Sequence, residues 1–275
     1  MDGHWRVDRS DCILGDSVTL LTIEGVSKEY RSRGKQVVAL DGIDLNIAEG
    51  EFVTIVGPSG CGKSTLLNLI VGLMRSSSGQ INFNGARIDG ICTKIGYVTQ
   101  KDNLLPWRTL MENVEIALEI RGVDANARRT RAQDFIEQVG LAGFETHYPH
   151  ELSGGMRQRA NIIRTLIYDP ELILMDEPFG PLDAQTRIVL QDQLLQLWSA
   201  SKKTIVFITH DLIEAITLAD RVVLMSSRPG RIKLIESVMI PRPRDVFKIH
   251  ESEQFRAVYE RLWQQLRPEV ILTEA

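Results

Sequence analysis

Three cysteines, Cys12, Cys61 and Cys92, are spread over 275 residues, and no two form a C-x-x-C pair. That spacing excludes a disulfide framework and a cysteine-built zinc site, and it points to a reduced compartment. No stretch approaches the roughly 20 consecutive apolar residues of a membrane span, so any work at a membrane is expected to be done by docking on another chain. The opening stretch MDGHWRVDRSDCILGDS scatters acids through its length and has no apolar centre, so it reads as an irregular extension over 1–18 and not as a secretory signal. Basic charge is not in excess either: 32 Lys and Arg stand against 36 Asp and Glu, for a net charge of −4. A broad basic surface for nucleic acid is therefore not expected.

What is present is the make-up of an ordinary globular protein, 43% hydrophobic and 25% charged, long enough to bury a sizeable core. Short β-branched runs separated by turn residues, VTLLTIEGV, VVALDGIDLNI and EFVTIV, predict strands between Val18 and Ile55. KSTLLNLIVGLM then reads as a helix and GQINFNG as a strand. Farther on, LILM, TIVFIT and RVVLM read as apolar strands, with helices predicted between them over 184–200 and 211–219. Strands alternating with helices imply an α/β fold with a mostly parallel sheet. Residues 101–165 break the alternation. There TLMENVEIALEIRG and ARRTRAQDFIEQVG carry apolar residues at three- and four-residue spacing, which predicts an α-helical subdomain inserted into the core. After Ile240, PRPRD marks a break, and the remainder, 241–275, is predicted to be an extension with an amphipathic helix over 253–266.

The stretch EFVTIVGPSGCGKSTLLNLI holds Gly57, Gly62, Lys63 and Ser64 at the G-x-x-x-x-G-K-[ST] spacing, between a predicted strand and a predicted helix. Gly57, Gly60 and Gly62 let backbone N–H groups turn inward around a phosphate, and the helix starting at Lys63 adds the positive end of its dipole. Lys63 supplies a point charge for β- and γ-oxygens, and Ser64 a hydroxyl for Mg²⁺. The loop from Gly57 through Pro58, Ser59, Gly60, Cys61, Gly62, Lys63, Ser64 and Thr65 is the candidate nucleotide cradle. Cys61 is read as filling a position for a small residue, and its alkylation is expected to block nucleotide binding by bulk.

ELILMDEPFGPLDAQ ends an apolar strand in two acids. Asp176 can bind Mg²⁺ through water, and Glu177 can polarise an attacking water. Asp183, in GPLD, is a further candidate on the loop that follows. His210 closes the strand TIVFIT, and sheets of this class place ligands at the carboxyl ends of their strands, so it is assigned to sensing the γ-phosphate and orienting the water. His147 and His150, in HYPH, have Pro149 between them and no acid or cysteine cluster beside them, and are read as structural.

ELSGGMRQRANIIRTLIYDP sets a serine and two glycines in front of another helix, the pattern of a second phosphate site. With it the motifs of a family are complete and in order. LSGGMRQR resembles the signature sequence of ATP-binding cassette (ABC) ATPases, GPSGCGKST their Walker A loop, LILMDE their Walker B strand and GPLD their D-loop. Gln100 in YVTQ resembles the Q-loop glutamine, His210 the switch histidine, and Tyr30 the aromatic that stacks on adenine. The resemblance runs from about Leu20 to Leu234. It implies a P-loop NTPase core with an N-terminal antiparallel β subdomain, an ABC ATPase domain over 19–240, and ATP with Mg²⁺ as cofactors. Gln100 joins Glu177 and His210 in the implied catalytic set, and Ser64 and Asp176 in the implied metal set. Two such cassettes dimerise head to tail, so Ser153, Gly154 and Gly155 of one copy are expected to cap ATP held by the other, and Asp183 is a further nucleotide-binding candidate.

NLLPWRTLMENVEIALEIRG, ADRVVLMSSRPGRI and PRPRD further resemble the ATPases of bacterial importers for nitrate, sulfonates and taurine. That implies a membrane permease contacted near Leu105, Pro106, Trp107 and Arg108, a solute-binding protein beyond it, and a peripheral position on the cytoplasmic face of the inner membrane. The alternatives are a soluble ABC ATPase acting on DNA or the ribosome, and an exporter cassette. DNA-repair members carry a long coiled coil between Walker A and signature, for which the interval here is too short. Ribosome-associated members usually fuse two cassettes, and this chain has one.

Overall fold

The computed structural model describes residues 18–32 and 35–274. Apart from Val18, the extension expected over 1–18, with its Cys12, lies outside the described residues. The chain builds two sheets. β1 (Thr19–Ser32), β2 (Lys35–Ala48), β4 (Ser78–Phe83) and β5 (Ala86–Arg87) form an antiparallel sheet in the order β2-β1-β4-β5. β3 (Phe52–Val56), β6 (Ile95–Val98), β7 (Leu172–Asp176), β8 (Thr204–Thr209), β9 (Arg221–Met225) and β10 (Ile232–Ser237) form a mixed sheet in the order β10-β9-β3-β8-β7-β6. All its pairings are parallel except β10 on β9. β3, β7 and β8 are buried at every position; strands covered on both faces are mostly apolar, as FVTIV and TIVFIT are apart from Thr54, Thr204 and Thr209. Edge strand β10 instead alternates between half-buried and exposed residues, the pattern of a strand with one wet face. Its IKLIES run and the short strands β5 and β6 extend the sheets beyond the elements predicted above.

Seven helices complete the described fold: α1 (Lys63–Ile70), α2 (Leu110–Ile120), α3 (Ala125–Gln138), α4 (Gly154–Leu166), α5 (Ala184–Ser201), α6 (Leu212–Leu218) and α7 (Glu253–Glu274). Three apolar clusters hold the layers together. Leu40, Ile55, Leu66 and Leu67 weld the antiparallel sheet and α1 to one face of the mixed sheet. Phe52, Phe207, Trp198, Ile216 and Leu262 join α5, α6 and α7 to the other. Leu110, Val114, Ile136 and Ile163 make a separate core among α2, α3 and α4.

Two helices differ in length from the sequence expectation. α1 stops at Ile70, short of KSTLLNLIVGLM. Gly72 takes φ 80°, and a Cβ there would lie 1.9 Å from the Gly90 carbonyl oxygen, so the chain turns at this point. α7 runs on to Glu274, past the predicted end near 266 and through Pro268. A proline removes one helical hydrogen bond; beside that gap, Lys233 Nζ donates to the Gln265 carbonyl at 2.9 Å and Val270 packs on the core, and these contacts carry the helix onward. α7 is thus part of the main core. Leu262→Ala removes a fully buried side chain and is expected to destabilise the whole fold by about 2–5 kcal/mol. A chemical denaturation midpoint equal to that of the parent would show that α7 is only appended.

Candidate functional site

Parallel registration brings the functional strand ends level. Val56 pairs with Thr209, and Asp176 with Ile208, so the residues that follow β3, β7 and β8 emerge at one edge. There a cleft of about 550 Å³ is lined by Tyr30, Ser59, Gly60, Gly62, Lys63, Ser64, Thr65, Gln100, Asp176 and Glu177. The loop between β3 and α1 is shaped by glycine: Gly60 has φ 75° and Gly62 φ 106°. At Gly62 a Cβ would press to 2.7 Å from Leu40 Cδ2. Lys63 is almost wholly buried, and its ammonium donates to the carbonyls of Gly57 at 2.8 Å and Pro58 at 3.1 Å.

The acids differ in setting. Ser64 Oγ donates to Asp176 Oδ1 at 3.1 Å, and the Tyr97 hydroxyl lies 3.5 Å from Oδ2. Burial pushes the Asp176 carboxyl above its usual range; the Ser64 bond pulls it down and the Glu177 charge pushes it up. Glu177 is the first residue past the strand and sits in the left-handed region at φ 44°. Its carboxylate faces His210 Nδ1 at 3.2 Å, Gln100 Nε2 at 3.5 Å and Lys63 Nζ at 4.0 Å. Oxygen donors from Ser64 and Asp176 this close together suit Mg²⁺, which binds through one or two protein oxygens while keeping waters and phosphate oxygens. Among the described residues, no cluster of three or more His, Cys, Asp or Glu forms a denser metal site.

Tyr30 hangs over the cleft, its hydroxyl 3.5 Å from Thr65 Oγ1 and 3.3 Å from Met74 Sδ. Cys61 does not face the cleft. It is fully buried, and desolvation raises its thiol pKa, so a reagent reaches the sulfur only when the loop opens. His147 packs against Phe144 at 5.1 Å and His150 stacks on Tyr148 at 6.0 Å, as structural side chains.

Ser153, Gly154, Gly155 and Asp183 do not line the cleft. They stand at a second place, where two helices begin side by side. Ser153 Oγ accepts from the Met156 N–H at 3.3 Å as the N-cap of α4, and Asp183 accepts from the Thr186 N–H at 3.0 Å as the N-cap of α5. A Cβ on Gly155 would fall 2.9 Å from Thr186 Cγ2. Three side chains at the cleft escaped the sequence reading: Val37, Ala39 and Arg228. Arg228 lines it and donates to the Gly60 carbonyl at 3.1 Å. The signal lay in the strand RVVLM, whose carboxyl end opens on the same edge as His210.

The family model for ABC transporters matches residues 40–180. The chain belongs to the ABC transporter ATP-binding family. It is therefore an ATPase. The cassette is 49% identical over 225 residues to an uncharacterized ABC transporter ATP-binding protein of Methanocaldococcus jannaschii, covering 82% of this chain and 84% of the relative. It is 42% identical to the aliphatic sulfonates import ATP-binding protein SsuB of Bacillus cereus, over 89% of this chain and 95% of that one. It is 46% identical to the taurine import ATP-binding protein TauB of Yersinia pestis, over 78% and 82%. A solved dimeric ATP-binding cassette in a post-hydrolysis state, bound to ADP and Pi, superposes with a TM-score of 0.73 at 34% identity, covering 81% of this chain and all of that one. Under native conditions iodoacetamide is expected to label half-buried Cys92 well before buried Cys61; peptide mass spectrometry that finds Cys61 labelled first would refute the buried assignment.

Proposed function

We propose that this cassette is the ATP-hydrolysing subunit of a bacterial importer that takes up a small anionic solute of the sulfonate, taurine or nitrate kind. The observation that carries the transport reading is the turn before α2. Trp107 is 71% exposed there, next to exposed Pro106 and half-buried Leu105. The turn is rigid beneath it. Buried Asn113 accepts from the Leu105 N–H at 2.7 Å and donates to the carbonyls of Leu105, Arg108 and Thr109 at 3.0–3.1 Å. Arg108 forks onto Glu119. An indole held outward on so braced a base supports docking of a permease at Leu105, Pro106, Trp107 and Arg108. No helix among the described residues is long and apolar enough to cross a membrane, and the proposed position is peripheral, on the cytoplasmic face of the inner membrane. A solute-binding protein would be the indirect partner.

In this reading Lys63 and the loop N–H groups from Ser59 to Thr65 hold the β- and γ-phosphates, and Tyr30 covers the base. Ser64, Asp176 and Gln100 would hold Mg²⁺, which would supply positive charge against the negative charge that develops on the transferred phosphate. Glu177 takes the proton from the attacking water. His210, bonded to the same carboxylate, orients that water toward the γ-phosphate. Ser153, Gly154, Gly155 and Asp183 of a second copy close over the nucleotide, because the two capped helix ends offer hydroxyl, N–H and dipole to an anion.

Two variants separate these roles. Glu177→Gln is expected to bind MgATP, lose turnover by about a hundredfold or more, and accumulate as a dimer. Ser153→Arg is expected to bind ATP as a monomer and form no ATP-dependent dimer. Size-exclusion chromatography with MgATP reads both; a Ser153→Arg chain that still dimerises sinks the paired-site account. For transport, tagged Glu177→Gln should retain a multi-span permease when native membranes are solubilised in mild detergent with MgATP. Recovery of ribosomal or DNA-associated proteins without a permease would overturn that reading and leave the ATPase standing.

A further inference from the structure

The turn between β9 and β10, residues 226–231, presses on the phosphate loop at two points. Gly230 is so close that a Cβ on it would lie 2.0 Å from the Cys61 carbonyl oxygen. Arg228 reaches over the same loop and donates from Nη2 to the Gly60 carbonyl at 3.1 Å. The turn is itself tied down on both sides. Toward β2, the Gly230 N–H donates to the Ala39 carbonyl at 2.9 Å and the Asp41 N–H to the Gly230 carbonyl at 3.0 Å. Toward α7, Glu269 Oε2 accepts from both the Ser227 N–H and the Ser227 hydroxyl, each at 2.8 Å. Lys233 Nζ holds the other carboxylate oxygen at 2.8 Å, and the Glu269 side chain is nearly buried. A buried carboxylate accepting three hydrogen bonds has one orientation open to it. Ser227, one residue before Arg228, is therefore fixed by the last turns of the C-terminal helix.

We propose that Glu269 and Arg228 are positioning residues for nucleotide binding: Glu269 on α7 fixes Ser227, Ser227 aims Arg228, and Arg228 holds the outward carbonyl of Gly60 so that the neighbouring N–H groups stay turned toward the phosphates. A phosphate cradle made of backbone N–H groups binds well only if the loop is held in its curved form before the anion arrives. Gly60 and Gly62 make that curve attainable but not rigid, because glycine samples many conformations. The guanidinium supplies the missing restraint from the rim of the cleft, through the Gly60 carbonyl. The C-terminal helix, remote from the catalytic residues in sequence, thereby sets ATP affinity through a relay of three residues.

The proposal rests on the cleft being the nucleotide site, and one control keeps the two apart. Binding of MgADP is measured by calorimetry for the full chain and for Arg228→Ala, Arg228→Lys, Glu269→Ala, the double Ala variant, and Lys63→Ala. Hydrogen exchange of the peptide spanning 57–65 is followed in parallel without nucleotide. Loss of the Arg228 bond to Gly60 should raise Kd by about tenfold for Arg228→Ala, and loss of the Glu269 bonds that fix Ser227 should raise it by about threefold for Glu269→Ala. The double variant should bind no more weakly than Arg228→Ala alone, since both act through one contact. Arg228→Lys should recover part of the loss, and exchange in the loop should quicken in both single Ala variants. In turnover, KM should rise while kcat stays near that of the parent. If Glu269→Ala folds poorly, Ser227→Ala, which keeps the backbone donor, should shift Kd and loop exchange in the same direction by less. Parent-like Kd and loop exchange in Arg228→Ala would overturn the proposal, as would strictly additive effects in the double variant. Should Lys63→Ala also bind like the parent, the cleft reading itself falls; loss of binding in Lys63→Ala alone leaves the cleft standing and removes only the relay.

Discussion

The level ending of three parallel strands is the constraint on which the remaining architecture depends. With Val56 opposite Thr209 and Asp176 opposite Ile208, the segments leaving β3, β7 and β8 open on one edge. A slip of one residue in β7 would turn Asp176 to the other face of the sheet and break its bond to Ser64. The burial of these strands on both faces enforces the register, because every alternative pairing would carry an acid into the apolar core or an isoleucine out of it. The chemistry at the edge is thus set by packing far below it.

Within that edge, adjacent acids acquire different characters from a single backbone event. Asp176 is still strand, its side chain shielded by Ser64 and Tyr97, and burial raises its pKa. Glu177 turns into the left-handed region, a conformation that costs a non-glycine residue about 1 kcal/mol or more. Its N–H donation to the Ile208 carbonyl at 3.0 Å and the Gly180 N–H donation to its own carbonyl at 3.1 Å hold it there. The turn swings the Glu177 carboxylate away from the Asp176 side and toward His210, Gln100 and Lys63. Paired carboxylates with distinct environments can divide two tasks between them, and here the difference in environment follows from where the strand stops.

Much of this was legible in the sequence, and the part that was not shares one physical cause. GPSGCGKST, LILMDE and the histidine after TIVFIT are local codes: a glycine curve, a strand end and a helix start each act within a few residues. Nothing local in SSRPGRI says that Arg228 will reach the Gly60 carbonyl, because that contact joins residues separated by most of the chain. The length of α7 was hidden for a related reason. Pro268 signals a stop by the rules of isolated helices, and tertiary contacts through Lys233, Glu269 and Val270 override it. Cys61 turns beneath the loop and packs in the core, a placement that the loop motif alone does not show. The second cluster, at Ser153 and Asp183, could be tied to the first only through the family resemblance, since within one chain the two do not meet.

That second cluster is also tied mechanically to the exposed turn at Trp107, and the path runs through one helix. α4 begins at the Ser153 cap and packs its middle, Ile163, into the core shared with α2. Along the way Arg157 pairs with Asp102 at 3.1 Å, and Arg164 donates to the carbonyls of Asp102 and Asn103 at 2.8 and 2.9 Å. Those residues lie between Gln100, which faces Glu177 in the cleft, and Leu105, which starts the exposed turn. A Cβ on Gly155 would fall 2.9 Å from Thr186 Cγ2, so the start of α4 lies directly against the start of α5. The segment from Gln100 to Leu105 is therefore braced by two arginines of α4, between the cleft on one side and the turn that presents Trp107 on the other. The same few contacts that stabilise the helical insertion join the edge of the cleft to the exposed surface.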